Sequence, residues 1–206
     1  MQKRKQCVFI TGVPGAGKDT QSKGLFDNMP GHFDAVISMS GLIEAALEAV
    51  AVVGYTEADK AVGKLLSDEM TGAVLEERLE EYSTDSSLAV SGYPRTRAQA
   101  EFAIDYCQKR GWVPIFLILR VEEDIAMERV RIRRAKDLKE KGRSRPDDEE
   151  SVARARYRKQ QALLDEVVPR LRTRLLTDPG WLFPVDCSGT PDEVFRRMVD
   201  FLTVAA

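Results

Sequence analysis

The chain of 206 residues carries one histidine and three cysteines, and these scarcities exclude several chemistries at once. Cys7, Cys107 and Cys187 lie far apart with no C-x-x-C pair, so neither a disulfide framework nor a structural zinc site is expected. A reducing, cytoplasmic compartment is the matching expectation. The lone histidine, His32, falls in the turn-like stretch Pro30-Gly-His-Phe33, where a surface role is expected of it. No apolar run approaches the roughly 20 residues of a membrane helix. The net charge is −2, which leaves no global electrostatic case for nucleic acid or an anionic membrane. The basic start, Met1-Gln-Lys-Arg-Lys-Gln6, precedes an apolar run too short for a secretory signal.

The remaining composition, 43% hydrophobic and 31% charged, is that of a soluble globular protein, and the length suits one α/β domain. Five β-like runs, at residues 8–11, 36–39, 88–91, 115–120 and 182–185, alternate with helical patterns. Most are continuously apolar, as a parallel sheet covered on both faces requires. Pro184 lacks an N–H donor and places the last run at a sheet edge. Helical patterns are read at residues 20–29, 68–82, 98–110, 122–134, 165–176 and 192–202. Asp68 is the expected cap of the second, and Gly111 the stop of the third.

The first β-like run breaks into Gly12-Val-Pro-Gly-Ala-Gly-Lys-Asp-Thr20. Gly12, Gly15 and Gly17 remove Cβ atoms, so successive N–H groups can point into one concavity, and Lys18 adds a charge for outer phosphates. The pattern fits G-x-x-x-x-G-K-[ST], except that Asp19 stands where a metal-binding hydroxyl is expected. A nucleoside triphosphate is the expected ligand. Arginines crowd one third of the chain: Arg129, Arg131, Arg133, Arg134, Arg143, Arg145, Arg154, Arg156 and Arg158. On helices, Arg129 shares a face with Arg133 and Arg154 with Arg158, while Arg156 projects elsewhere. Guanidinium groups converging on a bound triphosphate suit a phosphoryl group in transfer, and the polar stretch between them suits a water-excluding lid. Directly after the third β-like run, Ser91-Gly-Tyr-Pro-Arg95 places Arg95 at the carboxyl rim of the sheet, and Tyr93-Pro94 can be cis. Gln99 carries an amide suited to reading a base edge.

These residues resemble the adenylate kinase family of nucleoside monophosphate kinases. Gly12-Val-Pro-Gly-Ala-Gly-Lys-Asp-Thr-Gln21 is similar to its G-x-P-G-x-G-K-G-T-Q, and Gly92-Tyr-Pro-Arg-Thr-Arg-Ala-Gln-Ala100 to its G-F-P-R-T-x-x-Q-A. Glu128-Arg-Val-Arg-Ile-Arg-Arg134, Arg145-Pro-Asp-Asp148 and Val152-Ala-Arg-Ala-Arg156 match the lid entry and exit. The segment around Gly63 and Asp68 and the one from Gly189 to Phe195 match further stretches in order. The resemblance implies a P-loop NTPase fold with a five-stranded parallel sheet of order 2-3-1-4-5. Its core would cover residues 1–37, 64–133 and 157–206, with a monophosphate-binding insert at about 38–63 and a short, zinc-free lid at about 134–156. The implied reaction is MgATP plus AMP giving two ADP, in a monomer. The implied ATP site comprises Gly12, Pro14, Gly15, Ala16, Gly17, Lys18, Asp19, Thr20 and Arg129. Ser38, Met39, Gly92, Arg95, Gln99, Arg145 and Arg156 would bind the monophosphate. Lys18, Arg95, Arg129, Arg133, Arg145 and Arg156 would serve catalysis.

The chain departs from the family pattern at the metal and at the acceptor. Ser91 stands where the family has an Asp that orders magnesium-bound water, and Asp19 replaces a Gly after the loop lysine. We read this as a displaced carboxylate, with Mg2+ at Asp19 and Ser91 acting through water. Ser38-Met-Ser-Gly-Leu-Ile-Glu44 puts Met39 in place of a base-reading Thr and Glu44 in place of a phosphate-binding Arg. Two other readings therefore stay open: a regulatory nucleotide-binding module with weakened turnover, and a kinase for another acceptor such as UMP or CMP.

Overall fold

In the computed structural model, which describes residues 5–48, 56, 59 and 66–205, five parallel strands form one sheet of order β2-β3-β1-β4-β5. The strands are β1 (Gln6–Gly12), β2 (Ala35–Ser38), β3 (Leu88–Ser91), β4 (Val113–Arg120) and β5 (Trp181–Asp186). The helices are α1 (Lys18–Asn28), α2 (Met39–Glu48), α3 (Asp68–Glu80), α4 (Arg97–Arg110), α5 (Glu123–Lys141), α6 (Glu150–Arg174) and α7 (Pro191–Ala205). Every residue of β1 and β3 is buried, as is nearly all of β4, so these strands need cover on both faces. One group of helices pairs α1 with α7, and another packs α4 against α3 and α6. Among the described residues, no helix is long and apolar enough to cross a membrane.

The expected strands all form, each within two residues of the ends read from the sequence. β5 lies at the edge, where Pro184 costs the ladder least. Register aligns the carboxyl ends: Ile10 sits opposite Ser91, Ser38 opposite Ser91, Gly12 opposite Leu119, and Arg120 opposite Asp186. One rim of the sheet therefore gathers the loops that follow β1, β2, β3 and β4. Ligands of open parallel sheets bind on that rim.

The helices differ more. Met39, read as a strand end, instead opens α2, capped by the Ser38 hydroxyl that accepts from Gly41 N–H at 3.4 Å. α3 is capped by Ser67, whose hydroxyl accepts from Met70 N–H at 3.2 Å, so Asp68 is not its cap. α4 ends at Gly111 in the left-handed region, as expected. α5 continues past Arg134 to Lys141, and α6 starts at Glu150 rather than near 165. The expected lid is thus two helix ends joined by a connector with one 3-10 turn, Pro146–Asp148. Of the expected insert, residues 49–55, 57, 58 and 60–63 lie outside the described residues, as do Lys64 and Leu65.

Candidate active site

The loop Val13 to Gly17 joins β1 to the first turn of α1. Gly15 is required by close approach: a Cβ there would meet Ala126 O at 2.5 Å, and its φ is +81°. The loop is therefore pressed against the first turn of α5, which no side chain at Gly15 would allow. Gly17, at φ +91°, sits at the start of α1 without a side-chain cap, so the first amides of that helix point into the rim. Ala16 is buried, while Pro14 and Thr20 flank the loop at intermediate and exposed positions.

Lys18 folds back over the loop. Its ammonium donates to Gly12 O at 2.8 Å and to Val13 O at 3.0 Å. Burial, and then the Arg95 guanidinium, lower its pKa to about 7; Arg156 and Arg133 act in the same direction and Asp19 opposes them. The charges of three guanidinium groups, from the β3–α4 turn, α5 and α6, thus act on one ammonium. Such a knot of like charge is costly unless an anion neutralises it.

Three of the expected site arginines in this part of the chain have a holder. Arg129 donates to Gly189 O at 2.8 Å and Gly15 O at 3.4 Å, bridging the loop and the β5–α7 turn. Arg133 grips Asp148 through two N–H groups, one at 2.9 Å, and Arg156 binds Asp147. Burial opposes the Arg133 charge, but the Asp148 bonds outweigh it and hold the guanidinium above its ordinary value. Arg145 is exposed on the connector. Arg154 and Arg158 share the carboxylate of Glu123, at 3.1 and 3.2 Å, so they face away from Arg156. The spacing read from the sequence separates these two groups correctly.

On the acceptor side, the Tyr93-Pro94 bond is cis, and Gly92 N–H donates to Ile10 O at 2.8 Å, tying the turn to β1. Arg95 Nε donates to Gly92 O at 2.9 Å. Gln99 does not stand open as a base reader: it is 3% exposed and both ends of its amide are engaged. Its carbonyl accepts from Arg95 N–H at 2.7 Å, and its amine donates to Asp68 at 2.9 Å. Met39 is also buried and lies against the Gly92 turn, whereas Ser38 is exposed and bonds to Ser40. Ser91 is buried at the end of β3, and Asp19 is exposed in the first turn of α1.

Comparison with known proteins decides the family. A family model described as an AAA domain matches residues 11–154. Adenylate kinase of Deinococcus radiodurans is 31% identical over 206 residues, covering 96% of this chain and 97% of the relative. Adenylate kinase of Mesorhizobium japonicum is 31% identical over 201 residues, with 97% and 98% covered. That of Mycobacterium tuberculosis is 30% identical over 196 residues, with 92% and 95% covered. The chain belongs to the adenylate kinase family. It is a nucleotide-binding transferase with the P-loop NTPase fold, a kinase of the nucleoside monophosphate class. Sequence reasoning about this kinase missed three kinds of participant. Asp147 and Asp148 hold Arg156 and Arg133, Asp68 holds Gln99, and the Gly189 carbonyl holds Arg129. An acid pair between two arginine-bearing helices was a usable signal; a backbone carbonyl gives none.

Proposed function

We propose that this kinase transfers the γ-phosphoryl group of ATP to AMP, giving two ADP. The observation that carries the reading is Lys18 folded over the glycine loop, with Arg129 reaching from α5 onto the same loop and the charges of Arg95, Arg133 and Arg156 acting on the Lys18 ammonium. An oxygen of the acceptor's phosphate attacks the γ-phosphorus while the bond to the β–γ bridging oxygen of ATP breaks. The protein contributes position and charge. The amides of Gly15 to Lys18 cradle the donor phosphates with Lys18, and Arg129 lies along them. Arg95 holds the acceptor's phosphate; Arg133, Arg145 and Arg156 close over the group in flight. To do so, Arg133 and Arg156 exchange Asp148 and Asp147 for phosphate oxygens.

AMP is favoured by the likeness to relatives named adenylate kinase over nearly the whole chain. Gln99, buried with both ends of its amide engaged, is not open to read a base. Mg2+ fits the donor set. Asp19 offers a hard carboxylate oxygen from the exposed first turn of α1, the type of ligand this ion takes. Asp19 would hold it, with Ser91 acting through water. The ion neutralises phosphate charge when bound. Glu44, exposed on α2, favours the second reading, a nucleotide-binding module with weak turnover. A coupled assay of ATP against AMP, CMP, UMP and GMP, with and without Mg2+, tests both. Turnover with AMP alone is expected; binding without turnover supports the second reading, and preference for another monophosphate overturns the choice of acceptor.

A further inference from the structure

Asp68 holds two groups on a helix to which it does not belong. It is the first residue of α3, a few residues beyond the expected monophosphate insert, and Ser67 already caps that helix. Its Oδ1 accepts from the Thr96 hydroxyl at 2.8 Å and from Gln99 Nε2 at 2.9 Å. Gln99 Oε1 in turn accepts from Arg95 N–H at 2.7 Å. The orientation of this amide follows from its partners. A backbone N–H can only donate and a carboxylate can only accept, so the Gln99 carbonyl must face Arg95 and its amine must face Asp68.

This relay is more than a staple between α3 and α4. The first turn of α4 has its own cap, the Thr96 hydroxyl, which accepts from Gln99 N–H at 3.2 Å. Arg95 lies just outside that helix, and its N–H falls to the Gln99 side chain. Gln99 is buried, so its amide orientation is not exchanged with water at little cost. The Arg95 guanidinium, anchored to Gly92 O, is the strongest of the neighbouring charges acting on Lys18. A shift of the Arg95 backbone would therefore move a charge that faces the phosphate loop.

We infer that Asp68 is a positioning residue for phosphoryl transfer: through Gln99 it fixes the backbone from which Arg95 meets the acceptor's phosphate. The inference rests on the reading of Arg95 as the acceptor-phosphate ligand. It also assigns a role to the core segment that follows the expected insert, because its residue Asp68 is the one that sets Arg95. Loss of the relay alters acceptor binding and the chemical step, and leaves donor binding alone.

The test compares Asp68→Ala and Asp68→Asn by steady-state kinetics for both substrates and by calorimetric titration with AMP. Asp68→Ala is expected to lower kcat/KM for AMP roughly ten- to a hundredfold, the scale of one lost charge-assisted hydrogen bond. KM for ATP stays within about twofold, since uniform donor binding is untouched. Asp68→Asn retains an oxygen that accepts both bonds and recovers most of the loss. In the double variant Asp68→Ala/Gln99→Ala, the losses are non-additive, because the two residues act as one relay. If Asp68→Ala melts below the assay temperature, Asp68→Glu, which displaces the carboxylate by one methylene, is read in its place against Asp68→Asn. An unaffected kcat/KM for AMP, an equal rise in KM for ATP, or additive losses in the double variant overturns the role of Asp68. A wild-type enzyme that phosphorylates no monophosphate overturns the acceptor reading itself, and this inference with it.

Discussion

Arg133 on α5 and Asp148 in the α5–α6 connector face each other: Nε donates to Oδ2 at 2.9 Å and a second N–H donates to Oδ1. The side chain of Asp148 is 1% exposed, that of Arg133 36%. The carboxylate is the buried partner, so the two truncations are not equivalent. Arg133→Met strands a buried charge. The half-open guanidinium places the cost below that of a fully buried pair, at about 1–3 kcal/mol. Adding Asp148→Asn removes the stranded charge and is expected to recover part of the loss, read by chemical denaturation. A double variant as unstable as Arg133→Met alone contradicts this account.

Lys18 supplies a pH dependence. Its folded-state pKa of about 7 lies below the ordinary 10.5, because burial and the neighbouring guanidinium groups disfavour the ammonium. Between those two values the unfolded chain binds a proton that the folded chain does not, so the Lys18 contribution to stability rises with pH through that window. Below pH 7 both states are charged and the penalty is complete. Lys18→Met is therefore expected to raise the melting temperature most near pH 6, with the gain fading towards pH 10. ATP supplies the missing anion, so its binding at pH 8 should take up protons, seen as a calorimetric enthalpy that varies with the buffer's ionisation enthalpy. Proton release at pH 8 contradicts the assignment.

Two buried tyrosines make a matched pair. The Tyr157 hydroxyl donates to Val121 O at 2.7 Å, joining α6 to the end of β4. The Tyr93 hydroxyl is fully buried and, among the described residues, has no hydrogen-bond partner; burial, with the nearby Asp68 carboxylate, pushes its pKa up. Tyr157→Phe is expected to cost about 0.5–1.5 kcal/mol, while Tyr93→Phe is expected to be neutral or stabilising. Thermal melts of both variants check the contrast. A loss at Tyr93 equal to that at Tyr157 means the Tyr93 hydroxyl has a bound partner such as an ordered water.

The sheet was legible because most of its strands carry a continuous apolar run, as a parallel sheet covered on both faces requires. Pro184 even named the edge. The phosphate loop was legible because glycine spacing and a lysine leave little choice of conformation. α6 was not, although Ala153, Tyr157, Gln160, Leu164, Val167, Val168 and Leu171 form a buried stripe at spacings of three and four. Arg154, Arg156 and Arg158 interrupt its first turns, and the ion pairs that absorb their charge are invisible in one dimension. Gln99 was misread for a related reason. An amide near a rim suits a base, and only the fold shows that Asp68, 31 residues earlier, and the Arg95 backbone have already claimed it.

Asp19 and Ser91 carry the sharpest test of the metal site. A carboxylate in the first turn of α1 is favoured by the helix N-terminus, yet beside phosphates it repels unless a cation intervenes. Ser91, buried at the end of β3, lines the same rim and offers only a hydroxyl. If Asp19 serves the ion, Asp19→Gly raises the Mg2+ concentration for half-maximal activity about 10–100-fold, the usual scale for losing an ion-orienting carboxylate. Adding Ser91→Asp returns a carboxylate from the β3 side and is expected to restore the metal dependence. Mn2+ titration in the presence of ATP, followed by electron paramagnetic resonance, reads the same change without turnover. Equal metal dependence in the single and double variants would show that the carboxylate has not moved, and that Asp19 serves the helix start alone.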